Sequence, residues 1–140
     1  MAGVHSYGSK FKIGGRNGNS VVACRTIGGP KLSTAAINAG AHDSPSATAE
    51  YVPGFKDGGT VTLEILYDPR VTTHSELAGG LWKLWNDRTI SLLAVEYPTT
   101  PTAKGFEFNG FITGFEPSAP YEDLMTAQVT VQVTGVVAAY

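Results

Sequence analysis

The stretch TAQVTVQVTG, from Thr126 to Gly135, alternates polar and apolar side chains at every second position. Its polar positions carry only Thr and Gln, and its apolar positions carry Ala, Val and Gly. Because successive side chains of a β-strand point to opposite faces, this period of two predicts a strand with one wet face and one dry face.

The sequence before this strand predicts its partner. Residues 106–115, FEFNGFITGF, form a strand-like run rich in Phe and Ile, and the segment Pro117–Asp123 separates the two runs. A Pro- and Asp-containing connection of this length predicts an antiparallel hairpin. A bulge at Asn109–Gly110 would place four aromatic residues on one face: Phe106, Phe108, Phe111 and Phe115.

The polar face of this hairpin has two interpretations. Antiparallel sheets routinely expose one face to water, so the face can simply be the outside of the domain. The alternative is that it faces an enclosed space, because Thr and Gln are well hydrated yet offer a passing polyanion no cation to pair with. The residues alone leave both interpretations open.

Composition limits the class of protein. The 140 residues correspond to one domain, and 16% charged residues is well below the roughly 25% usual for soluble proteins. We therefore expect much of the surface to be covered in an assembly. A net charge of −2 argues against a surface that grips nucleic acid, though not against one that lets DNA pass.

The number of cysteines and the length of the apolar segments predict the cellular compartment. The single cysteine, Cys24, rules out an internal disulfide framework. Met1–Gly15 has no apolar region of the signal-peptide kind, and no apolar run in the chain could cross a bilayer. These features predict a protein made in a cytoplasm, soluble there and without a membrane anchor.

Four further segments read as strands. Ser20–Ile27 and Lys31–Ala39 flank Gly28-Gly29-Pro30 and suggest a first hairpin. Thr60–Tyr67 alternates cleanly between polar and apolar positions. Thr89–Tyr97 is apolar at both parities, which predicts a strand covered on both faces.

One helix is predicted from about residue 73 to 87. Thr72 or Thr73 can cap it, with Glu76 placed for a capping box from Thr73. Gly79-Gly80 in its middle costs about 1 kcal/mol per residue, so the helix should depend on docking against the sheet. The residues expected to pack there share one side of the helix: Leu77, Leu81, Leu84 and Trp85.

Two segments are expected to lie outside the packed elements. Residues 1–18, rich in Gly, Ser, Lys and Asn, predict a flexible N-terminal arm or a short edge strand. Residues 40–59 predict a long loop around an apolar patch, and long loops in compact domains are usually functional or disordered. The patch consists of Tyr51, Val52, Pro53 and Phe55.

Catalytic and metal-binding patterns are not evident. His5, His42 and His74 lie far apart, without metal-spaced Cys or His, so we expect no metal and no cofactor. Glu64 and Glu107 could form a glycosidase pair only across a groove, and nothing else suggests a sugar cleft. We therefore do not expect an enzyme.

Four segments in order resemble one family. YVPGFKDGG from Tyr51, LYDP from Leu66, FNGFITGFEPSAP from Phe108 and the Thr126–Gly135 strand together resemble the tail tube (major tail) proteins of long, non-contractile-tailed bacteriophages. The resemblance spans most of residues 20–137, and its segments are specific in combination.

The resemblance implies a mainly β fold, an antiparallel sandwich or barrel-like single domain with one flanking helix. It implies six-fold rings stacked into a hollow tube in the virion tail, assembled in the host cytoplasm, through which DNA leaves. It also implies kinship with the tubes of type VI secretion, and tape-measure, tail tip and tail terminator proteins as partners.

On this interpretation the apolar patch of residues 40–59 contacts another subunit, as a contact between stacked rings, and the polar strand faces line the lumen. The expected lumen residues are Glu64, Glu107, Gln128 and Gln132. The alternative from another class is a carbohydrate- or host-binding β-sandwich module, which would be monomeric and group exposed aromatic residues on its loops.

Overall fold

A computed structural model describes residues 3–140. Nine strands and one α-helix follow one another: β1 Lys10–Ile13, β2 Asn19–Ser20, β3 Cys24–Gly28, β4 Ser33–Asn38, β5 Tyr51–Asp57, β6 Thr60–Leu66, α1 Leu81–Asp87, β7 Ser91–Tyr97, β8 Lys104–Ser118 and β9 Thr126–Ala139. Short 3-10 helices occupy Pro45–Ala47 and Thr72–His74.

Seven strands form one antiparallel sheet in the order β2-β1-β7-β8-β9-β6-β3. The sheet curls into a half-barrel, and β1 also contacts β3. β4 and β5 form a separate two-stranded sheet, the arm. The predicted β8–β9 hairpin is confirmed, as is the mainly β fold with one flanking helix.

The core lies inside the curled sheet, because every second residue of β6 and β9 points there. Their inward side chains are almost entirely buried, and α1 closes the space with Leu81. Fully burying a side chain of this size contributes about 1.5–3 kcal/mol. The inward residues of β6 and β9 are Val61, Leu63, Ile65, Ala127, Val129, Val131 and Val133.

The helix is shorter than predicted. It begins at Leu81, after Gly79 with φ +86° and the N-cap Gly80. Two glycines in succession lower helix propensity enough that the predicted residues before Leu81 do not join the α-helix. Thr73 forms no capping box, because its Oγ1 accepts the Val22 N–H at 3.2 Å.

This correction changes the set of residues that pack under the helix. Leu81 is buried and Leu84 packs against the core, as expected of a docked helix. The prediction for Leu77 is wrong, since it lies outside the helix with 56% of its surface exposed. Trp85 is 42% exposed, and its ring lies beside that of Trp82, with centroids 6.1 Å apart and an angle of 54° between the ring planes.

The predicted first hairpin is also wrong. β3 pairs with β6, and β4 pairs with β5 instead of returning along β3. The second half of the predicted loop 40–59 is therefore a strand. Pro53 obscures it in the sequence, but β5 has a free outer edge, where the missing N–H of proline costs no ladder hydrogen bond.

The four phenylalanines of β8 do not share one face. Phe106, Phe108 and Phe115 pack in or against the core, whereas Phe111 pairs with Gln132 and is only partly buried. The register shifts fall between Glu107 and Asn109 and between Ile112 and Gly114, rather than at Asn109–Gly110. Similarly, β7 is fully buried only over residues 93–95, while Leu92 is exposed.

The N-terminal segment is not a free arm throughout. β1 pairs with β7, Phe11 opposite Val95, and Phe11 is completely buried. Residues 10–13 thus form a short strand, the alternative to a flexible arm, although it lies inside the sheet and not at its edge; residues 1 and 2 lie outside the described part of the chain. No helix within residues 3–140 is long and apolar enough to span a bilayer.

The buried position of Phe11 predicts a large stability effect. Phe11→Ala should lower the free energy of unfolding by about 3–5 kcal/mol, because it removes a ring and leaves a cavity. Urea denaturation followed by intrinsic fluorescence measures the loss. Tyr7→Ala is the matched control, since Tyr7 is exposed; equal stability of the two variants would contradict the packing of β1.

Candidate functional site

The outward face of the sheet carries the residues that the sequence assigned to a lumen. In β6 and β9, Glu64 lies opposite Gln128 and Thr62 opposite Thr130, all pointing away from the core. Gln132 lies on the same face, paired with Thr60. Strand parity therefore brings Glu64, Gln128 and Gln132 onto one polar surface, which we call the convex face.

Gln128 and Gln132 have different environments on this face. Gln128 is exposed, whereas Gln132 Nε2 donates to the Gly59 carbonyl at 3.0 Å and to the Val133 carbonyl at 3.2 Å. The Gln132 amide thus fixes the chain where it enters β6. The Gln132 side chain therefore stabilises the fold, whereas the Gln128 side chain is free to contact whatever lies outside this face.

Glu107 lies on the convex face in β8, opposite Ala94 of β7. Its Oε2 accepts the Arg16 N–H at 2.7 Å, which ties the loop between β1 and β2 to the sheet. The Arg16 guanidinium in turn lies 4.6 Å from the centre of the Tyr140 ring, a cation–π distance. Glu107 therefore organises the local structure as well as contributing charge.

The C-terminal Tyr140 completes this cluster. Its hydroxyl donates to Glu96 Oε1 at 3.3 Å, and Lys12 Nζ lies 3.1 Å from Glu96 Oε2. Burial, together with the neighbouring Glu96 carboxylate, raises the pKa of Tyr140 to about 12. The phenol stays protonated, and so remains a donor, throughout the neutral range.

These contacts neutralise cations on the convex face. Lys12 is paired with Glu96, and Arg25 lies 4.0 Å from Glu64. Lys10 remains exposed, near the side of the sheet away from β6 and β9. Where β9 and β6 pair on this face, Glu64, Gln128, Thr62 and Thr130 lie side by side.

The arm presents the predicted contact residues to solvent. Tyr51, Val52 and Pro53 are exposed in β5, and Phe55 is 95% exposed. β4 is exposed along its whole length and adds Ile37 to this apolar surface. A two-stranded sheet exposed in this way is marginally stable alone.

The buried histidine is structural. His74 Nδ1 accepts the Asp68 N–H at 3.2 Å, and Nε2 lies 2.6 Å from the Val22 carbonyl, to which it donates. This pair of contacts joins the 3-10 helix to the start of β3. Within residues 3–140, no three His, Cys, Asp or Glu side chains are grouped closely enough to hold a metal ion.

Sequence reasoning missed two surfaces. One is the loop from Ala119 to Met125, whose Tyr121 is 98% exposed; the sequence identified it only as the connection of a hairpin. The other is an apolar groove between the base of the arm and Val136. The signal for the first was available, because a large aromatic residue in a Pro- and Asp-containing turn has no core to join.

The chain is similar to known proteins in its structure but not in its sequence. No protein-family model matches the chain, and no curated protein matches it significantly. Among solved structures it is similar to a chain from the virion of a native gene transfer agent (GTA) particle, with a TM-score of 0.80, 8% identity and 99% of each chain covered.

Two further structures have the same fold. One is a chain from the tail of an empty GTA particle with C6 symmetry, at a TM-score of 0.80 and 9% identity over 99% of each chain. The other is the SPP1 tail tube, at a TM-score of 0.65 and 11% identity, covering 94% of this chain and 75% of that one. The chain thus has the fold found in these tail assemblies, which confirms the fold expected from the sequence resemblance.

Proposed function

We propose that this chain is the repeating subunit of a phage-type tail tube, in which six-membered rings stack around a channel for DNA. The observation that carries the proposal is the match of the chain, over 99% of its length, to a chain in a tail of C6 symmetry. The match also covers 99% of that chain, so it includes the arm as well as the sheet.

Self-association is supported by the arm. Burying apolar surface is favourable by about 25 cal/mol per Å², and the exposed Tyr51 and Phe55 side chains gain this only against a partner. We assign Tyr51, Val52, Pro53 and Phe55 to the contact with a neighbouring subunit. The low charged fraction of 16% suits a subunit that neighbours largely cover.

The convex face suits the channel wall. Each phosphate paired with a free Lys or Arg adds salt-dependent affinity by counterion release, and a stack of rings would multiply that affinity into a trap for DNA. On the β6–β9 part of this face Gln128 and Thr130 are neutral, and the nearby Arg25 is offset by Glu64. We therefore assign Glu64, Glu107, Gln128 and Gln132 to the wall, with Gln128 most open to the cargo.

The role is structural and not enzymatic. On this proposal the subunit carries no catalytic group and no cofactor, and its place is the virion tail after assembly in the host cytoplasm. Its protein partners are further copies of itself and the tape-measure, tail tip and tail terminator proteins that the resemblance implies. DNA passes through without specific binding, and no membrane anchor is involved.

The arm gives a direct test against a monomeric carbohydrate- or host-binding module. The double variant Tyr51→Ser with Phe55→Ser should keep the melting temperature of the free subunit nearly unchanged and abolish tubes in negative-stain electron micrographs. The conservative pair Tyr51→Phe with Phe55→Leu should still form tubes. A parent protein that stays monomeric at high concentration and with tail initiation proteins would contradict the proposal.

The channel wall is tested with charge. Gln128→Lys combined with Thr62→Lys should permit tube assembly but slow DNA ejection from the particle, and more so at low salt, because each lysine adds a phosphate contact. Gln128→Glu with Thr62→Glu is the matched control and should eject at the parent rate. Gln132 is left unchanged, since its amide holds Gly59.

Normal ejection kinetics in particles that contain the two lysines would show that this face does not meet DNA. Time-resolved release of DNA, followed with an intercalating dye at two salt concentrations, distinguishes the outcomes.

A further inference from the structure

One end of the subunit carries an apolar groove. Leu32, Phe55, Val136 and Val137 line a space of about 590 Å³ beside the base of the arm. The groove exists because β9 is irregular here: Gly135 has φ +78°, and the β8–β9 register shifts between Glu107 and Asn109. Gly58 keeps the floor open, because a methyl group there would clash with the Val133 side chain.

The loop that joins β8 to β9, residues 119–125, is the counterpart at the other end. We call it the tip. Tyr121 is almost completely exposed, and Leu124 and Met125 are exposed as well. Glu122 and Asp123 lie between them, so the tip combines a large apolar surface with two acidic groups.

Groove and tip face opposite ends of the molecule. The tip ends where β9 begins at Thr126, and Val133 of the groove lies farther along the same strand. Seven residues of extended chain span about 23 Å. No contact between tip and groove can therefore form within one subunit.

Charge complements shape at this pair of surfaces. Lys56 lines the groove, and Lys31 lies beside it at Gly59. Within residues 3–140 neither lysine has a carboxylate oxygen within 4.0 Å. Asp57 also lines the groove, and its carboxylate accepts the Gly59 N–H at 2.8 Å, so the two lysines outnumber the one carboxylate there.

We propose that the tip of one subunit inserts Tyr121 and Leu124 into the groove of a subunit in the next ring, with Glu122 and Asp123 facing Lys31 and Lys56. The contact rests on the proposed function, because it specifies the joint between rings of the tube. Two different surfaces at opposite ends make a heterologous contact, which repeats without limit unless rotation closes it. Such a contact fixes the direction of stacking, tip to groove.

Engineered disulfides test the contact in assembled tubes. A disulfide forms only where Cα atoms lie within about 7 Å, so a cysteine pair in tip and groove can join different subunits only. Tyr121→Cys with Val136→Cys, and separately Leu124→Cys with Val136→Cys, are assembled, oxidised and separated on non-reducing gels. Burial raises the pKa of the native Cys24 to about 11, so it contributes little thiolate at pH 8.

The expected result is a ladder of covalent multimers that extends past the hexamer, because a contact between rings links the whole length of the tube. The single-cysteine variants should give no ladder, and neither should Tyr121→Cys with Asn86→Cys, which moves the second cysteine to the exposed end of α1. A ladder that stops at six would place the contact within a ring and overturn the proposal.

The controls separate this inference from the proposed function. Tubes visible by microscopy without any ladder would overturn the tip–groove contact but not the proposal that the chain is a tube subunit. A parent protein that forms no tubes would overturn both.

Charge-reversal variants test the same contact without cysteines, in case the cysteine variants do not assemble. Lys31→Glu with Lys56→Glu should prevent tubes, and adding Glu122→Lys with Asp123→Lys should restore them, because the pairing is reversed and not removed. Failure of the fourfold variant to assemble, with its subunit folded by circular dichroism, would contradict the contact.

Discussion

The register of β9 is the constraint on which the rest of this structure depends. β9 pairs with β6 on one side and with β8 on the other, so its alternation decides which side chains of three strands face the core. A slip by one residue would turn Val129 and Val131 outward and bury Gln128 and Thr130. The polar convex face and the buried core are thus two consequences of one pattern, and the proposed channel wall follows from the requirement for a core.

The sequence predicts what local patterns specify. The β8–β9 hairpin and β6 were predictable because their polar and apolar residues alternate over many positions, and parity alone placed Glu64 and Gln128 side by side. The pairing partners of β1, β3 and β4 were not predictable, because they are set by contacts between residues distant in the chain. Phe11, for example, lies in a Gly-rich segment and pairs with Val95. The predicted start of the helix was wrong because the helical spacing of the leucines was given more weight than the two helix-breaking residues Gly79 and Gly80. Parity also could not reveal that Gln132 and Glu107 are held by hydrogen bonds.

The surfaces of the subunit make sense as parts of a larger object. The convex face pairs cations internally, through Lys12 with Glu96 and Arg25 with Glu64, and leaves a hydrated surface of Thr and Gln, the proposed channel wall. The arm exposes aromatic residues on a sheet too small to be stable alone. Groove and tip, which we propose to bind each other, are too far apart to meet in one chain. Arm, groove and tip each leave apolar side chains uncovered in the single subunit, which is the physical reason for proposing an assembly.

A helical reconstruction of assembled tubes by electron cryomicroscopy tests the central claim most directly. We expect six subunits per ring, with Thr62, Gln128 and Thr130 facing the open channel and α1 away from it. A reconstruction in which these residues lie on the outer surface, or are buried against a neighbouring subunit, would contradict the assignment of the convex face to the channel wall.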